Sequence, residues 1–316
     1  MSEKKQIATR DAYGKILVEL GKEFPNIIVM DADLSVSTKT CGFCKAFPER
    51  FFNMGVAEQD MMGVAAGMAA TGKTVFVSTF AVFATGRCWD QIRVSIAYPR
   101  LNVKIVATHS GITTGEDGVT HQANEDIAIM RAIPNMTVIV PSDAVETEAV
   151  IRHCAVTQGP TYVRLSRPKT DVINETGMEF IVGKARQMKE GKDLTIIACG
   201  LMVARALDAA QALEKDGISA RVINMHTIKP IDREAVRKCA EETGAIVTVE
   251  EHNIIGGLGV AVAEVLVEDH PVPVARVGIR DMFAESGKPD ELLEKYGLTA
   301  SEIVKAAKNV LGRKTA

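Results

Sequence analysis

The sequence predicts an α/β chain made of two consecutive parallel-sheet domains, and three observations carry that reading. Short apolar runs alternate regularly with amphipathic stretches along the 316 residues, with no internal repeat and no low-complexity segment. The runs are rich in Val and Ile without polar alternation, as strands covered by helices on both faces must be. The pattern lapses once, between 168 and 192, into PKTDVINETGMEF and a charged KARQMKEGKD. Length alone suggests about two domains at roughly 150 residues each, and the expected boundaries are 1–180 and 190–316.

In the first half, strands are expected at 27–30, 74–78, 103–108, 137–140 and 161–165, with helical patterns at 10–23, 57–70, 83–97, 124–132 and 143–156 between them. The second half repeats the scheme with strands at 194–200, 220–225, 245–250 and 273–278, and helices near 203–215, 232–242 and 257–268. Thr299-Ala-Ser-Glu302 ahead of IVKAAKNVL reads as a capping box that opens a final helix.

Composition removes several function classes. Apolar residues make up 47% and charged residues 24%, ordinary globular values that exclude disordered, collagen-like and coiled-coil chains. A net charge of −3 supplies no basic field, so nucleic-acid or acidic-membrane binding is not the expected task. No apolar run approaches the roughly 18 residues of a membrane span, and MSEKKQIATRD lacks the apolar core of a signal peptide, so a soluble, cytoplasmic protein is expected. The six cysteines are scattered, mostly in apolar segments, as reduced core thiols would be. Cys41-Gly-Phe-Cys44 is a CxxC, but no second CxxC or HxxxH completes a zinc set, and the motif lies in a polar stretch after VSTKT, away from any strand. A structural or incidental role is expected, and no metal ligands are assigned.

Polar residues concentrate in three places. In Gly55-Val-Ala-Glu58-Gln59 a carboxylate enters a helix so rich in Gly and Ala that another backbone could pack against it. Burial there would raise the pKa of Glu58 and make it an acid near neutral pH, whereas the plain reading is a helix-dipole partner. Thr79-Phe80-Ala-Val-Phe83 sets two aromatics three apart after a strand, which by themselves read as core. The third run, His109-Ser-Gly-Ile-Thr-Thr-Gly-Glu-Asp117-Gly-Val-Thr-His121-Gln, brackets glycines with two histidines and an acidic pair after a buried strand, where open α/β sheets place ligands. Packing does not explain such a cluster.

Taken in order and spacing, GVAEQ, STFAVF and H-x7-D-x3-HQ resemble the thiamine diphosphate enzymes of the transketolase superfamily, and the resemblance spans the chain. It implies a pyrimidine-binding domain followed by the transketolase C-terminal domain, in which TIIACG, HTIKPID and VEEHNIIGGLG match strands and turns. It further implies that Glu58 shares a proton with N1′ of the aminopyrimidine, favouring the imino tautomer that activates the thiazolium. Phe80 and Phe83 match the aromatics lining the pyrimidine pocket, while Gly86 stands where a third aromatic often follows. His109, Asp117 and His121 match residues that hold sugar hydroxyls and assist proton transfer. Arg10, Ser37 and Arg167 match positions that bind the substrate's phosphate, a role that suits planar guanidinium donors.

The GDG motif that holds the diphosphate through Mg²⁺ in this superfamily occurs nowhere in the chain. The resemblance therefore implies half an enzyme, the C-terminal section of a split transketolase, paired with an N-terminal subunit that carries GDG and the Mg²⁺ ligands. An α2β2 heterotetramer is expected, with the helix after Glu58 packing closely in its core. The implied reaction moves a two-carbon ketol unit from a ketose (phosphate) to an aldose (phosphate), in pentose phosphate and carbohydrate metabolism. The β-subunit of 2-oxo acid dehydrogenase E1, deoxyxylulose-phosphate synthase and a non-catalytic assembly subunit are the alternatives. The histidine upstream of GEDGVTHQ favours transketolase over the first two, and four ionisable groups around one cleft argue against the third.

Overall fold

The computed structural model describes residues 5–314. In chain order its first half contains β1 (Gln6–Ala8), α1 (Thr9–Glu23), β2 (Ile27–Asp31), α2 (Ser35–Thr38), α3 (Cys41–Ala46), β3 (Phe51–Asn53), α4 (Glu58–Ala70), β4 (Thr74–Ser78), α5 (Trp89–Gln91), β5 (Val103–Ala107), α6 (Asp126–Arg131), β6 (Thr137–Ile139), α7 (Ala144–Val156), β7 (Thr161–Arg164) and β8 (Lys169–Asp171). The second half adds β9 (Arg186–Lys189), β10 (Leu194–Ala198), α8 (Met202–Lys215), β11 (Ala220–Asn224), β12 (Thr227–Lys229), α9 (Arg233–Thr243), β13 (Ile246–Asn253), α10 (Leu258–Asp269), β14 (Val274–Ile279), α11 (Pro289–Lys295) and α12 (Ala300–Leu311).

Two large sheets result, in the strand orders β12-β6-β7-β5-β4-β2-β3 and β14-β13-β10-β11-β9. Their interiors are parallel, as the unalternating apolar runs require, and β2, β4, β5, β10 and β11 are buried at every position. Both sheets carry one antiparallel edge, β12 against β6 and β9 against β11. The β12 pairing was not expected, because it sends a strand from the second half of the chain onto the first sheet. The cores are joined in the same way: one apolar cluster runs from Met61, Ala65 and Ile105 under the first sheet to Ile197, Val236 and Val262 under the second.

Helix α1 buries Tyr13, Ile16, Leu17 and Leu20, one face at helical spacing, and packs with Val150, Ile151 and Cys154 of α7 on the other side of the first sheet. In α12 the Thr299 side chain accepts from the Glu302 N–H, but the Glu302 carboxylate turns to Lys305, so only half of the capping box forms.

Two expected helices need correction. The 124–132 helix begins only at Asp126. The 83–97 stretch is not one α-helix but two π-helical turns, Phe83–Arg87 and Ile92–Ala97, flanking α5. Widened turns of this kind accommodate an extra residue and re-aim the side chains around it, which hydrophobic periodicity cannot reveal.

Candidate functional site

The C-terminal ends of β2, β4 and β5 open on one side of the first sheet, and each releases a loop that carries candidate residues. At the end of β2, buried Asp31 accepts from Leu34 N at 2.6 Å, Thr38 Oγ1 at 2.7 Å and Thr40 Oγ1 at 2.9 Å. That knot fixes the turn holding Ser37. From the first turn of α1, Arg10 Nη1 donates to the Ser37 carbonyl at 3.0 Å and lies 3.2 Å from His109 Nε2. Ser37 thus meets Arg10 through its backbone and not its hydroxyl.

His109 follows β5 at φ +58°, a left-handed conformation uncommon for a side-chain-bearing residue. Burial, then the charges of Arg10, Arg167, His121 and Lys39, push its pKa down to about 3, so the ring is neutral. The tautomer follows from its partners. A guanidinium can only donate, so Nε2 is the acceptor toward Arg10, and Nδ1 carries the hydrogen toward Thr108 Oγ1 at 2.8 Å.

Phe80, from the end of β4, stacks on the His109 ring with centroids 3.7 Å apart. Phe83 lies parallel to Phe80 at 6.0 Å, and His121 meets Phe83 edge-on at 5.2 Å. The His121 Nδ1 is 2.9 Å from Thr120 Oγ1. Four sequence candidates, His109, Phe80, Phe83 and His121, therefore form one aromatic wall.

Glu58 opens α4 and is 3% exposed. The sequence located its burial but not its partner: Arg87 Nη1 bridges both carboxylate oxygens at 2.8 and 2.9 Å. The π turn presents Arg87, whose guanidinium also lies over Phe83 at 4.7 Å. Glu58 and the aromatic wall are linked through this one side chain.

Two candidates stand differently from expectation. Arg167 Nη1 is engaged by Thr114 O and Glu116, each at 2.6 Å, rather than directed free into the cleft. Asp117 is exposed at the end of the 112–117 turn, and no hydrogen bond among the described residues ties its carboxylate to Arg10, His109 or His121. Conversely, Arg10 Nε and Thr79 Oγ1 are buried beside the wall with no protein partner. Sequence reasoning missed Asp31, Lys39 and Arg87; only Asp31, at the end of an otherwise apolar strand, left a signal.

Contrary to the sequence reading, the CxxC opens a helix, α3, but Cys41 and Cys44 are both free and half-buried. Among the described residues no group of three or more His, Cys, Asp or Glu side chains is arranged to hold a metal ion, and no helix is long and apolar enough to cross a membrane.

Comparison with known proteins agrees with this geometry. Residues 5–172 match the transketolase pyrimidine-binding domain and residues 183–303 the transketolase C-terminal domain. A protein of Methanocaldococcus jannaschii described as a transketolase C-terminal section is 56% identical over 94% of each chain. The 6-deoxy-6-sulfo-D-fructose transketolase subunit of a Clostridium species is 48% identical over 96% of this chain and 95% of its own. Among solved structures, a split gene transketolase described as an inactive beta4 tetramer superposes with a TM-score of 0.91 at 55% identity, covering 98% of this chain and all of that one. With both domains matched in order and along nearly its whole length, the chain belongs to the transketolase family, as a split-transketolase-type subunit.

Proposed function

We propose that this chain is the C-terminal subunit of a thiamine diphosphate-dependent transketolase, transferring a two-carbon ketol unit from a ketose to an aldose whose far end carries an anionic group. The observation that carries the reading is the wall of Phe80, Phe83, His109 and His121 between buried Glu58 and Arg10, whose Nε has no protein partner. An aminopyrimidine fits there: it takes aromatic stacking, a carboxylate and a hydroxyl donor, and Thr79 Oγ1 is unpartnered. When bound, thiamine diphosphate supplies the nucleophilic carbon that carries the ketol unit.

The chain's own residues do the rest. Glu58 faces the pyrimidine with a carboxylate that can exchange a proton with it once Arg87, which here occupies both of its oxygens, draws back. Neutral His109 offers Nε2 as an acceptor for a substrate hydroxyl once Arg10 turns away from it. His121 and Asp117 complete the hydroxyl contacts, and Arg10 and Ser37 take the anionic end, joined by Arg167 once it exchanges Glu116 for the anion. Arg10, beside an uncharged histidine and with its Nε unpartnered, suits an anion, with Arg167 and Lys39 near it though paired with Glu116 and Asp11, and the Clostridium relative's named substrate carries a sulfo group at that end. The first unit, 1–180, faces the cofactor, and the second, 190–316, supports it. Diphosphate and Mg²⁺ are held by a partner subunit bearing GDG, in a cytoplasmic α2β2 heterotetramer.

Reconstitution tests this directly. The purified chain alone should bind thiamine diphosphate poorly and show no ketol transfer, and a GDG-bearing partner with Mg²⁺ should confer transfer with ping-pong kinetics. Micromolar, Mg²⁺-dependent binding by the isolated chain would overturn the half-enzyme reading.

A further inference from the structure

The loop that carries His109, Asp117 and His121 is poorly suited to hold itself in place. Gly111, Gly115 and Gly118 all sit at positive φ, so its backbone is drawn from the most permissive residue type. First-half contacts hold it at Thr114 and Ala123, through the Thr114 hydroxyl, Arg167 and Arg164, and a further anchor comes from the other half of the molecule. Glu251, on β13, is 3% exposed, and its Oε1 accepts from Thr113 N at 2.7 Å across the boundary between the two sheets. The loop approaches so closely that a Cβ on Gly111 would overlap the Glu251 carboxylate.

The backbone of the same residue is tied to the loop's far end. Arg164 Nη2 donates to the Glu251 carbonyl at 3.0 Å and to the Ala123 carbonyl at 3.0 Å. Arg164 is itself fixed by Asp126, at 2.7 Å from Nε and 3.1 Å from Nη2, and Asp126 also accepts from the Tyr162 hydroxyl at 2.6 Å. Nearby, Asn253 N donates to Asn124 O at 2.7 Å and Gln122 Nε2 to Glu285 O at 3.0 Å.

Glu250 supplies the contrast. One residue earlier on the strand, and equally buried, it faces the opposite way, as alternation along a strand dictates. Its two oxygens accept from Leu258 N at 2.7 Å and Gly259 N at 2.8 Å, capping α10 within its own half. Two neighbouring carboxylates thus serve different ends: Glu250 completes its own domain, and Glu251 reaches out of it.

We propose that Glu251 is a positioning residue for the substrate loop, the means by which the C-terminal domain takes part in catalysis without touching substrate. This rests on the reading of the loop as the sugar site. The Glu251 carboxylate holds the loop at Thr113, its carbonyl shares Arg164 with the Ala123 carbonyl, and the segment between presents Asp117 and His121 at fixed places.

Amide hydrogen exchange on the full chain tests the clamp. Glu251→Ala should speed exchange across 111–118 by about tenfold, the loss expected for a buried hydrogen bond. Glu251→Gln, whose amide oxygen still accepts from Thr113 N, should restore most of the protection. Glu250→Ala should loosen the first turn of α10 and leave 111–118 within about twofold of the parent. In the pair reconstituted with a GDG-bearing partner, Glu251→Ala should raise the ketose KM by roughly tenfold while proton exchange at the cofactor's thiazolium carbon stays unchanged. Unchanged protection of 111–118 in folded Glu251→Ala, or equal loss in Glu250→Ala, overturns the proposal. Should Glu251→Ala not fold, Thr113→Pro deletes the donor from the loop side: a loosened loop in that folded variant supports the clamp, and an unaltered one overturns it. Wild-type pairs without ketol transfer would fault the proposed function and leave the clamp standing on the exchange data.

Discussion

The two halves of the molecule share an architecture and differ in what the C-terminal ends of their strands do. In the first, β2, β4 and β5 release Ser37, Phe80 and His109 toward one end of the sheet, where buried Arg10 Nε and Thr79 Oγ1 lack protein partners. In the second, β13 ends in three buried ionisable residues whose bonding is consumed internally: Glu250 by α10, Glu251 by the substrate loop, and His252 by the Asn253 carbonyl at 2.6 Å. The same sheet scaffold therefore does not decide where chemistry occurs. Unpartnered polar atoms occur in both halves, Thr248 Oγ1 on β13 and Asn224 Oδ1 on β11 among them, so they mark the ligand side only where they gather beside the aromatic wall and Glu58.

The sharpest way to break that comparison is at Glu58. Glu58→Gln keeps size and a hydrogen bond but removes the exchangeable acid, so ketol transfer should fall by about 10²- to 10⁴-fold, with thiazolium proton exchange slowed in parallel. Near-normal exchange in the variant would remove Glu58 from its assigned place. A smaller loss is expected at the opposite end of the cleft. Arg10→Ala should raise KM roughly ten- to a hundredfold for a sugar ending in phosphate or sulfonate, from about 1.5 to 3 kcal/mol per charge-assisted contact. Equal losses on an uncharged acceptor would show that Arg10 serves His109 and not the anion.

Helix α4 offers a third test. The sequence reading places this Gly- and Ala-rich helix as a close-packing element at the core of the assembly, and within the chain its faces divide the work. Ala65, Ala66 and Ala69 pack inward on this chain's own sheet, while nothing lies within 4 Å of a Cβ placed on Gly63 or Gly67. Ala66→Phe should therefore cost about 1 to 3 kcal/mol of stability in the isolated chain through overpacking. Gly67→Leu should leave the melting temperature unchanged or higher and abolish self-association in sedimentation. Association that survives Gly67→Leu would move the interface off this helix.

How much was readable in advance follows the same division. Long strands with unbroken Val and Ile runs declared themselves, because burial on both faces leaves one composition. The edge strands β1, β3, β8, β9 and β12, at three or four residues each, did not: they are short, partly polar and held by partners distant in sequence. Glu58, Phe80, Phe83, His109 and His121 were legible as a set because their spacing matched a family, and the structure gathers the four rings into one wall. Arg87 was hidden by a π turn whose extra residue breaks helical phase. Glu251 was hidden for a different reason, since its target lies 138 residues away and its neighbour Glu250 looks identical in sequence.

The smallest effect expected is a compensation in acid, and most of it lies within the second half, which holds both carboxyls and two of the three histidines involved. Burial lowers the pKa of His109 to about 3 and of His226 and His252 to about 4. From the ordinary value of 6.5 downward, the unfolded chain binds protons that these folded sites refuse, so each costs stability as pH falls. Burial raises Glu250 and Glu251 from 4.5 to about 7, and there the sign reverses: between those values the folded state holds more protons, so acidification stabilises it. Over pH 6.5 to 4.5 the two trends oppose, three histidines against two carboxyls, so the loss is held to the share of one uncompensated histidine, roughly 2 to 3 kcal/mol. Below 4.5 the carboxyl contribution is complete while the histidines continue to titrate, so the melting temperature should keep falling to about pH 4, where His226 and His252 are spent, and more slowly to about pH 3 through His109. Glu250→Gln, which keeps a hydrogen-bonding group on α10 but removes the titration, should expose the histidine loss as a steady decline beginning near pH 6.5. A melting profile that stays flat in that variant would show that the buried histidines of this chain are already compensated elsewhere.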